Sequence, residues 1–125
     1  MASTPKFVGT CKSPSVAFST ANTNRDGTTG TYATLITAGA DGSRVDSIMI
    51  SALSTTTAGM IRVFLGTALI AEIPVLAITP SATQPVWQFA LNFPNGLILA
   101  AAAVLKVSTH NAESFVAAIT NGGDF

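Results

Sequence analysis

Between Val86 and Phe93 the chain sets Trp87, Phe89, Leu91 and Phe93 at every second position and fills the gaps with Gln88, Ala90 and Asn92. Side chains that alternate with period two line one face of a β-strand. A sheet face carrying four large apolar groups must be covered by a second layer. That stretch alone therefore points to packed sheets. Similar alternation recurs along the chain. In Val45–Leu53, Ile48, Ile50 and Ala52 share one face while Ser47, Met49 and Ser51 share the other. In Met60–Leu65, Ile61, Val63 and Leu65 oppose Arg62 and Phe64. Leu69–Leu76 sets Leu69, Ala71, Ile73 and Val75 against Glu72 and Pro74. Further strands are expected at Lys6–Thr10, Ser15–Ser19, Thr31–Thr37, Val104–Thr109 and Phe115–Thr120.

Turn chemistry separates these runs. Asn24-Arg25-Asp26-Gly27, Asp41-Gly42, Asn95-Gly96 and Asn121-Gly122-Gly123 all favour positive φ or tight reversal. Ser54–Gly59 has hairpin length, and the prolines of the polar loop Thr79–Pro85 cannot join a central ladder. The one stretch with helical propensity is Ile98–Leu105, with alanine at 100–103. Turn residues before it and β-prone residues after it favour two strands joined by an alanine-rich turn. The expected fold is all-β: one β-sandwich spanning 1–125, jelly-roll-like, with about eight or nine short antiparallel strands. Residues 1–30 are the least core-like. They read either as an arm that adds a strand to a neighbouring chain or as edge strands closing their own sandwich.

Composition narrows the function. Charged residues make up 10% of the chain, against about 25% in an ordinary soluble domain. Hydrophobic residues reach 48% and the mean hydropathy is +0.50. A free monomer usually keeps itself soluble with a charged surface of mixed sign. A surface rich in hydroxyls and poor in charge suits one that partners cover. Six basic side chains balance six acidic ones and form no basic run, so nucleic acid is not an expected partner. The longest apolar run, Leu97–Leu105, is too short for a membrane helix, which needs about 20 residues, so no membrane partner is expected. The start MASTPK lacks the pattern of a signal peptide, and synthesis in the cytoplasm is expected.

No residue set names a chemistry, and the chain is read as a non-enzyme without cofactor or metal. Cys11 is the only cysteine and reads as a small apolar residue. His110 is the only histidine. Ser108 and Glu113 lie near it in sequence, but its flanks read as a loop and no G-x-S-x-G elbow is present. The carboxylates Asp26, Asp41, Asp46, Glu72, Glu113 and Asp124 sit mostly at loop ends or beside glycine, where they serve backbone hydrogen bonds. Gly27-Thr28-Thr29-Gly30 lacks the G-K-[ST] ending of a phosphate loop. Trp87, Phe89 and Phe93 alternate as a core face does, rather than as a stacking platform for sugars or bases. Met49 and Phe64 fall opposite the inferred core faces. With Arg62 they are the candidate interface residues.

Around Gly30 to Leu65 the sequence, TGTYATLITAGADGSRVDSIMISALSTTTAGMIRVFL, resembles small virion proteins of tailed bacteriophages. So do PNGLIL and the ending FVAAITNGGDF. The likeness covers roughly residues 24–125 and is one of short, Thr/Gly/Ala-rich, low-charge β-sandwiches. It implies a capsid decoration, or cement, protein that sits in the virion and clamps neighbouring copies of the major capsid protein. Such proteins also associate with copies of themselves, often as trimers. A tail or head-fibre component and a carbohydrate-binding module using the Pro80–Pro85 loop are the alternative expectations.

Overall fold

A computed structural model describes residues 7–125. Nine strands form in chain order: β1 (Thr10–Cys11), β2 (Ser15–Phe18), β3 (Ala33–Thr37), β4 (Ser43–Ala52), β5 (Gly59–Leu65), β6 (Ala68–Val75), β7 (Gln88–Leu99), β8 (Val104–Thr109) and β9 (Phe115–Asp124). No helix occurs among the described residues. The expected first strand begins at Lys6, outside the described residues; its last residue, Thr10, enters β1.

All strand pairs are antiparallel, and they nest. β2 pairs with β9, β3 with β8, β4 with β7, and β5 with β6. The chain thus behaves as one long hairpin whose tip is the β5–β6 turn, rolled so that successive pairs fall in alternate layers. One layer, sheet A, runs β1-β9-β4-β7 with β2 also on β9; the other, sheet B, runs β3-β8-β5-β6. The protein is a β-sandwich, as the alternation predicts.

The core fills the space between the sheets. Sheet A contributes Val45, Ile48, Ile50, Phe115, Ala117 and Ile119; sheet B contributes Ile61, Val63, Ile73, Leu105 and Val107. All are essentially inaccessible to water. Burying each large aliphatic contributes about 1.5–3 kcal/mol before entropy is counted. Phe115 anchors an aromatic cluster. Phe18 stacks on it at 5.8 Å, and Trp87 meets it edge-on at 6.0 Å.

The strongest sequence signal lies at a sheet edge. Trp87 is buried, but Phe89 is 39% exposed, and Leu91 and Phe93 are half-buried. β7 has β4 on one side only, so its inward side chains are covered from above and on one flank. Asn95-Gly96 does not end a strand, as expected for a turn. It sits inside β7, where Val45 faces Leu97 but Ser47 already faces Asn92. Phe93–Gly96 therefore bulges opposite Asp46, with φ of 70° at Asn95 and 80° at Gly96. A Cβ on Gly96 would lie 2.6 Å from Arg44 Nε, the movable end of a partly exposed side chain, so it is the positive φ that calls for glycine in the bulge. Asn121-Gly122-Gly123 is likewise strand: β9 continues to Asp124 because β4 offers partners as far as Ser43. The alanine-rich turn forms as expected, with Ala103 N–H donating to the Ala100 carbonyl at 3.0 Å between β7 and β8.

Candidate functional site

The two outer faces of the sandwich differ. On sheet B, the loop between β2 and β3 crosses the sheet as a strap. Asn22 N–H donates to the Thr109 carbonyl at 2.8 Å, which starts the strap beside β8. Lys106 Nζ donates to the Gly27 carbonyl at 2.6 Å and lies 4.4 Å from the centre of the Tyr32 ring. Tyr32 packs edge-on against Phe64 with ring centroids 5.0 Å apart. Asp26 ties the strap together internally. It accepts from the N–H groups of Thr28 and Thr29 and from the Thr29 hydroxyl at 2.7 Å. These bonds favour the anion and hold its carboxyl well below the usual carboxylate range.

The strap explains where two of the three candidate interface residues lie. Phe64 is fully buried beneath Tyr32, and Arg62 is 1% exposed. Both point away from the core, but the face they point to is covered. Period-two alternation assigns a side chain to a face and says nothing about what lies over that face. Arg62 Nε meets Glu72 Oε2 at 3.0 Å, its terminal nitrogens reach the Asn22 carbonyl and His110 Nδ1 at 3.3 Å, and Arg25 Nε shares the same Glu72 oxygen at 2.8 Å. The two guanidinium groups lower the pKa of Glu72, Arg25 contributing more.

His110 therefore faces a cation. Nδ1 accepts from Arg62, which leaves the proton on Nε2. Its sequence neighbours do not gather around it. Ser108 Oγ is buried without a hydrogen-bond partner, and Glu113 Oε2 accepts from the N–H and hydroxyl of Thr57 at 2.8 and 2.9 Å. The geometry assembles no nucleophile–base–carboxylate relay from these three. Other carboxylates serve the frame. Asp46 pairs with Arg44 at 2.9 Å, and Asp124 joins Lys12 and Ser43, which together lower its pKa. No cluster of three or more His, Cys, Asp or Glu suited to a metal occurs among the described residues. Trp87 lies within the core with Phe89 stacked on it at 6.4 Å, and its ring is not a free platform.

Sheet A has no strap among the described residues. Its outward side chains follow from register. β4 presents Ser47, Met49 and Ser51; β7 presents Gln88, Ala90 and Asn92; β9 presents Val116, Ala118 and Thr120; and β2 adds Ser15 and Ala17. All are exposed or half-exposed, and none is ionisable. Met49 stands near the middle, between Ala90 and Ala118, at 38% exposure. Arg44 and Asp46 close one end of the face as a neutralised pair. The face is flat, small-featured and free of net charge, with one flexible apolar side chain standing out of it. Such a surface gives up little hydration when another protein covers it, because no charge has to be desolvated. Sequence alternation already separates Ser47, Met49 and Ser51 from the core, but the neighbouring rows emerge only when register aligns the strands.

No protein-family model matches the chain, and no characterised protein sequence matches it.

Proposed function

We propose that this chain is a structural protein of the virion, a bacteriophage capsid-decoration subunit that seats the outer face of sheet A on the major capsid protein. The open, uncharged face around Met49 is the observation that carries this reading. The centres of protein–protein interfaces are depleted of charge and enriched in methionine. The nested strand pairing supports reading the sandwich as a jelly roll, the double-sheet architecture common among capsid proteins. The low overall charge and the likeness to small phage virion proteins point the same way. Many copies, each with a modest footprint, would together brace a head lattice against internal pressure.

Co-sedimentation of the purified protein with expanded phage heads tests the reading. Wild type should pellet with heads. Met49→Lys sets an ammonium at the centre of the face and should bind on the order of a hundredfold more weakly, since a buried unpaired charge costs several kcal/mol. Wild type that ignores heads but pellets with tails would move the protein to a tail component. Wild type that binds neither would contradict a virion role.

A further inference from the structure

Sheet A ends on a long strand that pairs with no other strand on its outer side among the described residues. Edge strands expose a row of backbone donors and acceptors, and proteins usually blunt them by keeping them short or by adding charge, proline or bulges. Three edges of this sandwich follow that rule. β1 and β2, at the far side of sheet A, have two and four residues. β3 has five, and β6 carries Glu72 and Pro74. β7 has twelve residues, none of them ionisable. Its proline and bulge lie at Pro94–Gly96, which leaves Gln88–Asn92 as regular strand.

The backbone parity of that segment is fixed by its pairing with β4. Ala52 N–H donates to the Trp87 carbonyl at 2.8 Å. By alternation Trp87, Phe89 and Leu91 direct their backbone groups to β4, and Gln88, Ala90 and Asn92 direct theirs outward. We infer that the occupant of this edge is a second copy of the chain, with the two β7 strands antiparallel across a two-fold axis at Ala90. In that register Ala90 faces Ala90 of the partner subunit and Gln88 faces Asn92 of the partner subunit. Every outward N–H and C=O of the segment then meets a counterpart of the right parity. The two amide side chains lie opposite each other on the outer face. Phe89, which is 39% exposed, faces Leu91 of the partner subunit on the inner side. No like charges oppose each other, because β7 has none, and the net charge of the chain is zero. Pro85 and Pro94, which lack N–H groups, bound the paired segment. The pairing is isologous and closes at two copies.

The joined molecule carries one continuous sheet A. The outer face of one copy spans roughly 350 Å² from strand spacing and rise. Two copies give about 700 Å², close to the roughly 800 Å² per partner of a stable protein–protein interface. The pairing itself does not depend on what that face binds.

Sedimentation equilibrium on the full chain tests it, with two double variants of exposed side chains. Wild type should reach about twice the 12.7 kDa chain mass. Gln88→Lys/Asn92→Lys places like charges opposite each other at both symmetric positions and should weaken self-association roughly tenfold. Gln88→Lys/Asn92→Glu places opposite charges there and should keep the dimer. Buried Trp87 emission confirms that each variant is folded. Wild type that stays monomeric, a trimer, or two variants that associate equally well would overturn the pairing. The Lys/Lys variant still binding heads as a monomer would leave the proposed function intact while the dimer is lost, so the two ideas fail separately.

Discussion

Adjacent residues on β4 have opposite surroundings. Ile48 is fully buried between the sheets, whereas Met49 is 38% exposed on the outer face. Ile48→Ala should destabilise the protein by about 2–5 kcal/mol, through lost transfer energy and the cavity left behind. Met49→Ala should stay within about 0.5 kcal/mol of wild type. Urea denaturation of both variants checks the contrast. Arg62 is the buried charge among the described residues. Arg62→Ala would remove partners from Glu72, the Asn22 carbonyl and His110, and would open a cavity beneath the strap. Glu72 keeps Arg25 and some solvent access, so the cost should be about 2–4 kcal/mol, at the low end for a broken buried ion pair. A loss below 1 kcal/mol would mean that the strap does not depend on this anchor.

At the level of elements, alternation located nearly every strand, because period two survives wherever one face is buried. It placed Ile48, Ile61 and Phe115 in the core and kept Met49 out of it. Among the features that resisted reading, which include Asn121-Gly122-Gly123 within β9 and the Ser54–Gly59 link between sheets, two show the physical reasons best. Asn95-Gly96 has turn chemistry in either context, and only the continued pairing of Val45 with Leu97 makes it a bulge. Phe64 and Arg62 alternate as outward residues, but the strap that covers them is made by residues some 40 positions away in sequence, as in the Arg62–Asn22 contact. The candidate face was half legible: Ser47, Met49 and Ser51 stand out in one strand, while its openness depends on which sheet the strap crosses. The bulge offers a test at this scale. Gly96→Ala must take up a φ of 80° and should cost about 1–2 kcal/mol. An unchanged denaturation midpoint would show that the bulge relaxes freely.

For the molecule as a whole, the few charges are spent on fastening loops to the frame. Asp26 folds the strap on itself, Glu72 fastens the strap to β5, and Asp124 ties the N-terminal segment and Ser43 to the last strand. All three carboxyls have folded pKa values below their ordinary ones of 3.8, 4.5 and 3.8. A depressed carboxyl stabilises the folded state fully above its unfolded pKa and loses that contribution as pH falls through the folded value. The contribution of these three carboxyls should therefore be constant above about pH 5 and decline progressively below pH 4. Thermal unfolding from pH 7 to pH 2 should trace that decline, and a stability maximum below pH 4 would contradict it. With Arg62, Glu72 and Lys106 committed to the strapped face of sheet B and Asp124 to the end of β9, the sandwich keeps one broad face neutral, and the proposed docking role rests on that division. A reconstruction of phage heads decorated with this protein tests it most directly. It should show Met49, Ala90 and Ala118 buried against the major capsid protein, with the strap of residues 19–32 turned to solvent. A strap pressed against the lattice, with the Met49 face open, would contradict it.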